Sequence, residues 1–241
     1  MRNIKLIVFL IASCIVSYNL DAKPINESVI LLHGLGDVKL SMLKLENSLK
    51  DEGYFTKNIG YSSTGETIES LSENELSKIV ERYKKIGFNK IHFVTHSMGG
   101  LIVRYYLQEH DLPSGSRIVM LSPPNHGSEV ADHFQESKFY KLIVGDVGKE
   151  LATDSSILSE LKPVVQEVGI IAGNKSSNPY FSKIIPGEDD GRVAVDNTKL
   201  IEMKDFIVVS STHLTIKYNK DVIKQTAFFL KNGIFEHIEK E

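Results

Sequence analysis

The chain carries, directly after an apolar run, the hexapeptide Thr95-His96-Ser97-Met98-Gly99-Gly100. The run before it predicts a strand and the pattern beginning at Met98 predicts a helix, so Ser97 falls in a sharp turn. At such a turn a serine hydroxyl is exposed at the end of the sheet, and the tight backbone needs small residues two positions away on either side. Gly99 meets this need, whereas Thr95 replaces the first glycine of the G-x-S-x-G pattern. Taken alone, the hexapeptide fits either a nucleophilic serine or an ordinary strand-to-helix turn.

Apolar runs and amphipathic patterns alternate on both sides of the hexapeptide. Residues 28–32 form a continuous apolar run, which is typical of a strand buried on both faces of a parallel sheet. Strands are predicted at residues 28–32, 54–61, 90–94, 117–122, 165–172 and 206–209. Helices are predicted at residues 39–50, 66–86, 98–112 and 222–230, the first of them with Leu40, Met42 and Leu43 on one side. This order predicts an α/β fold with a mostly parallel open sheet and helices on both faces.

The alternation is interrupted at residues 125–163, where helical patches at 130–144 and 157–161 are separated by glycines and polar residues. An insertion of this length over the carboxyl edge of a sheet is often a lid or a binding loop. An ordinary helix-loop-helix packed on the sheet is the alternative. We find no internal repeat and no linker, so residues 23–241 are predicted to form one domain.

Composition excludes one class of function. The chain has 241 residues, 41% of them hydrophobic, and a net charge of −3, with no basic stripe. Proteins that bind nucleic acid usually show such a stripe, so we expect no nucleic-acid partner.

The first 22 residues differ from the rest of the chain. Arg2 and Lys5 precede an apolar run at residues 6–16, and Ala22 follows a polar stretch. This pattern predicts a signal peptide and therefore export, to the periplasm or outside the cell; an N-terminal membrane anchor and a buried first strand are the alternatives. The only cysteine, Cys14, lies in a sequence similar to a lipobox, so lipid anchoring is a further alternative. Cleavage near Ala22 leaves no cysteine for a disulfide.

Three side chains with complementary chemistry follow predicted strands. A serine hydroxyl needs an imidazole to accept its proton and a carboxylate to orient that imidazole. Ser97, Asp190 and His213 occur in that order, and ligands bind at the carboxyl ends of strands in open α/β sheets. Two backbone donors are also needed for the oxyanion; candidates are the N–H groups of Met98, at a helix start, and of Leu35, in a glycine-rich turn.

Together these motifs resemble those of bacterial lipases and esterases of the α/β-hydrolase superfamily. The matching segments are His33-Gly34-Leu35-Gly36, His96-Ser97-Met98-Gly99-Gly100, residues 124–132 (PNHGSEVAD), Asp190-Gly191-Arg192-Val193 and Ser211-Thr212-His213. The resemblance implies a carboxylic-ester hydrolase that works through an acyl-enzyme, with Ser97 as nucleophile, His213 as base and acid, and Asp190 as orienting carboxylate. It also implies an oxyanion hole from Leu35 and Met98, and a lid in residues 125–163.

Several assignments have competitors. Asp189 and Asp196 compete for the acid role, but only Asp190 matches the Asp-Gly-x-Val pattern of the family. Near the site we expect His33, Gly34, His96 and His126 to contact substrate or hold turns. His92 is expected to be a core residue. The apolar residues of the insertion are predicted to form an acyl-binding wall or part of the core: Phe134, Phe139, Tyr140, Leu142, Ile143 and Val144.

The sequence predicts neither a cofactor nor a metal, since no His-x-x-x-His or comparable ligand spacing occurs. The expected partner is a small acyl ester or lipid, and transient contact with a lipid surface is compatible with it. Two other functions stay open. One is a thioesterase, amidase or acyltransferase with the same three residues, and the other is a catalytically silent hydrolase fold that binds a lipid or protein.

Overall fold

The computed structural model describes residues 26–137, 144–145 and 147–237. Within them the chain forms a six-stranded sheet in the order β2-β1-β3-β4-β5-β6, and every neighbouring pair is parallel. The strands are β1 (Glu27–Leu32), β2 (Phe55–Asn58), β3 (Lys90–His96), β4 (Arg117–Leu121), β5 (Glu167–Gly173) and β6 (Asp205–Val209). The predicted open parallel α/β sheet is therefore confirmed.

Helices connect the strands. They are α1 (Leu43–Asp51), α2 (Ile68–Leu71), α3 (Ser77–Ile86), α4 (Met98–Tyr106), α5 (Glu129–Phe134), α6 (Val147–Glu150), α7 (Ser156–Glu160), α8 (Phe181–Ile184) and α9 (Lys220–Asn232). A π-helical segment, Ser72–Leu76, joins α2 to α3, so the long amphipathic pattern predicted at 66–86 is helical throughout its length from Ile68. Three-residue and four-residue 3-10 turns precede or follow other elements, at Lys39–Met42, Asp196–Thr198 and Ile216–Tyr218.

The core lies on both faces of the sheet. Alternate residues of β1 contact different clusters: Ile30 packs on one face with Phe93, and Leu31 packs on the other with Val94. All four side chains are fully buried. This is the burial that the continuous apolar run predicted, because side chains point alternately to the two faces of a strand. The edge strand β2 is shorter than predicted, since only Phe55–Asn58 pair with β1.

The predicted buried face of the first helix is wrong in part. Leu40 and Leu43 are 66% and 41% exposed, whereas Met42, Leu45 and Leu49 are buried. The reason is the 3-10 turn Lys39–Met42 before α1. Three residues per turn rather than 3.6 change the direction of each side chain, so the apolar side begins at Met42.

The described part of the 125–163 segment is anchored to the main domain. The Ser128 hydroxyl donates to the Arg192 carbonyl (2.6 Å), and the Glu150 carboxylate accepts the Ile68 N–H at the start of α2 (2.8 Å). Within the described ranges, no helix has both the length and the apolar character needed to cross a bilayer. The predicted signal peptide at residues 1–22 lies outside the described residues.

Candidate active site

A strained turn presents Ser97 at the carboxyl end of the sheet. Strand β3 ends at His96 and α4 begins at Met98, which leaves Ser97 alone between them with φ 53° and ψ −126°. A positive φ is unusual for a residue with a Cβ atom and costs free energy unless neighbouring structure imposes it. Here two hydrogen bonds impose it: the Ser97 N–H donates to the Leu121 carbonyl and the Gly100 N–H donates to the Ser97 carbonyl, both at 2.9 Å.

Glycine is required close to this turn because the backbones are in contact. A Cβ atom on Gly99 would lie 2.8 Å from the Leu32 carbonyl oxygen and 2.9 Å from that of His33. No real Cβ contact is that short, so α4 lies against the end of β1 only because residue 99 has no side chain. Thr95, in contrast, is fully buried within β3 and the turn forms with a threonine at that position.

The structure brings Ser97, His213 and Asp190 together. His213 Nε2 is 3.0 Å from Ser97 Oγ, and His213 Nδ1 is 2.8 Å from Asp190 Oδ2. Because a carboxylate only accepts, Nδ1 carries the proton and Nε2 is free to accept the serine proton. Asp190 follows β5 and His213 follows β6, and the His213 N–H donates to the Asp190 carbonyl (2.8 Å), which joins the two loops. All three side chains are buried.

The Asp190 carboxylate is held in its charged form. Its Oδ1 accepts the backbone N–H groups of Arg192 (3.0 Å) and Val193 (2.9 Å). Burial by itself would raise its pKa, but His213 and the hydrogen bonds, including one from Ser122, outweigh burial and keep the pKa of Asp190 below its usual value.

The competing carboxylates have other partners. Asp189 Oδ1 accepts the Gly191 N–H (2.7 Å) and the Ser182 hydroxyl (3.2 Å). Asp196 forms an exposed ion pair with Lys199. The geometry therefore selects Asp190 as the partner of the imidazole.

The two candidate oxyanion donors lie beside Ser97. Met98 is the first residue of α4, where an N–H has no intrahelical acceptor. The Leu35 N–H donates to no acceptor within the described part of the chain, and Leu35 lines the cavity in front of Ser97. The loop that carries Leu35 approaches the turn closely, since a Cβ atom on Gly34 would lie only 2.9 Å from Ser97 Cβ.

His96 supports the site from behind. Its Nε2 donates to the His213 carbonyl (2.8 Å), while its Nδ1 is buried with no partner in the described residues. Burial, followed by the charge of His213, holds the pKa of His96 well below the ordinary value, so the ring is neutral. Both His96 and Gly34 line the cavity, as expected of residues near the substrate.

Two of the four residues expected near the site, His33 and His126, do not line the cavity. His33 does not line the cavity: its ring stacks on Tyr61, with centroids 4.1 Å apart, and the Tyr61 hydroxyl donates to the His33 carbonyl. His126 also lies outside the cavity and its side chain is exposed. The tight turn at Gly127 (φ 85°) places the His126 backbone against Asn197 and leaves the imidazole in solvent. His92, as predicted, is a buried residue with both ring nitrogens hydrogen-bonded.

A cavity of about 700 Å³ opens in front of Ser97 and His213. Its apolar wall comes from two segments that follow β4 and β5: Val130, Ala131, Phe134, Val144, Leu151 and Phe181. Phe134 and Val144 were predicted for this wall, whereas Phe139, Tyr140, Leu142 and Ile143 lie outside the described residues. The polar part of the lining includes Asp37, Arg192 and Lys217.

Sequence reasoning did not identify Asp37, Lys217 or Phe181 as part of the site. Asp37 and Lys217 are 180 residues apart, and no local pattern links them. The position of Asp37, directly after the glycine-rich turn at 34–36, was the only available signal. Within the described ranges, no group of three His, Cys, Asp or Glu side chains has the arrangement of a metal site.

Comparison with known proteins identifies the architecture. A sequence profile of the alpha/beta hydrolase fold family matches residues 27–162, which is more than half of the chain. The structure is similar to that of the mature lipase BlEst2 from Bacillus licheniformis, with a TM-score of 0.71 and 20% identity over 88% of this chain and 93% of that one. It is also similar to a Paleococcus ferrophilus monoacylglycerol lipase, with a TM-score of 0.59 and 15% identity over 87% of this chain and 96% of that one.

A third similar structure is phospholipase PlaB from Legionella pneumophila, with a TM-score of 0.59 and 17% identity over 72% of this chain. The match spans 45% of the phospholipase. At these identities the similarity establishes a shared fold.

Proposed function

Since the chain belongs to the alpha/beta hydrolase fold family, we propose that it is a serine hydrolase that cleaves carboxylic esters of acyl or lipid type through an acyl-enzyme. The main support is the continuous chain of hydrogen bonds from Ser97 through His213 to Asp190, with Ser97 and His213 facing a largely apolar cavity. Structures with this fold that are similar to the chain include lipases.

In the proposed first step, Ser97 Oγ attacks the ester carbonyl carbon while His213 Nε2 takes the hydroxyl proton. Asp190 stabilises the imidazolium that forms, because its carboxylate faces His213 Nδ1. The oxyanion lies between the N–H groups of Leu35 and Met98. His213 then gives its proton to the departing alcohol oxygen as the C–O bond breaks, and Ser97 is left acylated.

In the second step a water molecule attacks the acyl-enzyme, and His213 accepts one of its protons. The bond between the acyl carbon and Ser97 Oγ breaks, His213 returns the proton to Oγ, and the carboxylic acid leaves. The same donors and the same imidazole therefore serve both half-reactions.

The cavity supports a hydrophobic acyl group. Among its apolar lining side chains, six come from α5, α6, α8 and their flanks: Val130, Ala131, Phe134, Val144, Leu151 and Phe181. Pockets for small molecules are mostly apolar with a few polar groups that fix orientation. Residues 125–163, which provide most of this wall, act in the proposal as a cap over the site.

The proposal includes export through the signal peptide predicted at residues 1–22 and contact with an ester or lipid substrate from a lipid surface. Detection of the mature N-terminus after expression in a bacterial host tests the first part. An N-terminus at residue 1 in the secreted or periplasmic fraction would contradict it.

The catalytic assignment is tested with p-nitrophenyl esters of short and long chain length and with a fluorophosphonate probe that labels activated serines. We expect the wild type to hydrolyse at least one ester and to be labelled at Ser97, and Ser97→Ala to do neither. A wild type no faster than Ser97→Ala on every ester would exclude the ester hydrolase, and thioesters and acyl amides would then be measured.

The role of the acid is tested with a pair of adjacent variants. Asp190→Asn leaves His213 in the wrong tautomer and is expected to lower kcat by about 10⁴-fold. Asp189→Asn is the matched control, since Asp189 contacts Gly191 and Ser182 rather than the imidazole. A larger loss for Asp189→Asn than for Asp190→Asn would reverse the assignment.

A further inference from the structure

An ion pair between a buried lysine and a partly exposed aspartate lies among the polar residues that line the cavity. Lys217 Nζ is 2.5 Å from Asp37 Oδ2, and the lysine side chain is only 3% exposed. A lysine ammonium is rarely buried to this degree, because its desolvation costs several kcal/mol. Replacing a buried ion pair by apolar residues is often neutral or stabilising, so stability alone gives no reason for this pair.

The acidic partner belongs to the loop that carries a proposed oxyanion donor. Asp37 is two residues after Leu35, and its N–H donates to the Gly34 carbonyl (3.3 Å). Its Oδ1 accepts the Val38 N–H (2.9 Å), so the carboxylate is fixed to the backbone of its own loop. Burial would raise its pKa, but the hydrogen bond from Lys217 and the other contacts outweigh it and keep the pKa of Asp37 below its usual value.

The basic partner belongs to the loop that carries the proposed base. Lys217 is four residues after His213, in the 3-10 turn Ile216–Tyr218. The Ile216 N–H donates to the Thr212 carbonyl (3.0 Å), so this turn is joined to the backbone next to His213. Lys217 and His213 are therefore carried by the same hydrogen-bonded turn.

Both loops also lie beside His96. Its Nε2 donates to the His213 carbonyl, whereas its Nδ1, which carries no proton, lies 4.0 Å from Asp37 Oδ2 without a hydrogen bond. An exposed hydrogen bond joins α1 to the 3-10 turn that carries Lys217, since Lys44 Nζ donates to the Tyr218 carbonyl (2.7 Å). Of these links, the Asp37–Lys217 pair is the one that connects the two loops directly through charged side chains.

We propose that Asp37 and Lys217 form a positioning pair, which holds the Leu35 N–H and the His213 imidazole in register so that both face the same substrate carbonyl. This inference rests on the proposed serine hydrolase. Neither residue takes part in bond making or breaking. A donor displaced by about 1 Å can cost on the order of 100-fold in rate, while the affinity for the ground-state ester depends mainly on the apolar wall.

The test uses Lys217→Met, which keeps the aliphatic stem and removes the charge, with kcat and KM measured separately on the best p-nitrophenyl ester. We expect kcat to fall by roughly 10- to 100-fold with KM within about twofold of wild type. Lys217→Arg, which retains the charge, is expected to recover most of the loss. The matched control is Lys224→Met, which removes an ion pair with Glu236 that does not line the cavity.

Lys217→Met leaves Asp37 without its partner, so the folded fraction is measured by thermal unfolding for each variant. If Lys217→Met does not fold, the double variant Asp37→Asn/Lys217→Met, which leaves no unpaired charge, is measured in its place with the same expected loss of kcat. Charge removal in a merely structural pair would lower the melting temperature and leave the kcat of the folded enzyme unchanged.

Two results would overturn the inference: a folded variant without the charge that has the kcat of the wild type, or one in which only KM rises, which would indicate direct contact with substrate. Assays of the wild type test the proposed serine hydrolase separately from the positioning pair. If the wild type neither hydrolyses esters nor is labelled at Ser97, the proposed function fails, and this inference fails with it.

Discussion

The backbone strain at Ser97 leads to a prediction about stability. With φ 53° and ψ −126°, residue 97 occupies a region that favours glycine. Ser97→Ala and Ser97→Gly both remove the hydroxyl and its hydrogen bond with His213. The two variants differ in one respect, since alanine retains the strained Cβ atom and glycine does not.

The expected magnitude follows from opposing contributions. Strain of this kind costs about 1–3 kcal/mol. In an unstrained buried position, an alanine-to-glycine exchange lowers stability by about 0.5–1 kcal/mol through chain entropy and by about 0.8 kcal/mol through the lost buried methyl group. At residue 97 the released strain opposes this loss. We therefore expect the free energy of unfolding of Ser97→Gly to lie between about 0.8 kcal/mol below and about 1.7 kcal/mol above that of Ser97→Ala.

The control is the same exchange in a regular strand. Ala172 lies in β5 and is fully buried, so Ala172→Gly should lose the full 1.3–1.8 kcal/mol or so relative to wild type. The free energy of unfolding of all four proteins is measured by urea denaturation. The change in the free energy of unfolding from alanine to glycine is compared at residues 97 and 172, and the difference between the two changes measures the strain. A difference below about 0.5 kcal/mol, the usual limit of additivity, would refute the reasoning.

Two further predictions concern pH and the loop before Asp37. Burial lowers the pKa of three imidazoles, those of His33, His92 and His96, below 6.5, so the unfolded chain binds more protons than the folded chain below that pH. Their contribution to the free energy of unfolding should be complete above about pH 6.5. It should fall as the pH decreases, by up to about 1.4 kcal/mol per pH unit for each imidazole. Urea unfolding between pH 7.5 and 5.5 or so checks this, and a flat profile, or an unchanged slope in His92→Gln, would contradict it. Gly34→Ala should lower kcat by about 100-fold in the folded protein, because the new Cβ atom would be 2.9 Å from Ser97 Cβ and must displace the loop that carries Leu35. The measurement is kcat on a p-nitrophenyl ester. A folded variant with the kcat of the wild type would show that the loop accommodates the methyl group.

The sequence predicted the fold well because the strands of a parallel sheet have a strong local signal. The run at 28–32 is apolar at nearly every position, and β1 is buried on both faces. The turn at Ser97 was also visible, since Gly99 and Gly100 permit the contact between α4 and its neighbours. The positions of Ser97, Asp190 and His213 after predicted strands, with their order in the chain and the Asp-Gly-x-Val pattern, indicated three loops that meet in the structure.

The sequence left alternatives open where tertiary contacts decide the direction of a side chain. His33 and His126 both belong to loops at the site, but stacking on Tyr61 and the turn at Gly127 direct them away from the cavity. The sequence favoured Asp190 over the adjacent Asp189 because Asp190 matches the Asp-Gly-x-Val pattern, and in the folded turn the N–H groups of Arg192 and Val193 bind the Asp190 carboxylate.

The main-chain hydrogen bond between the His213 N–H and the Asp190 carbonyl has a consequence for how the site would work. It sets the spacing of the two loops independently of their side chains, so the imidazole and the carboxylate meet before any ligand arrives. Little reorganisation would then be required during a turnover, and most of the ordering cost would already be met when the chain folds. The His213 and Asp190 side chains should accordingly keep their relative orientation in Ser97→Ala, because the backbone already holds them together.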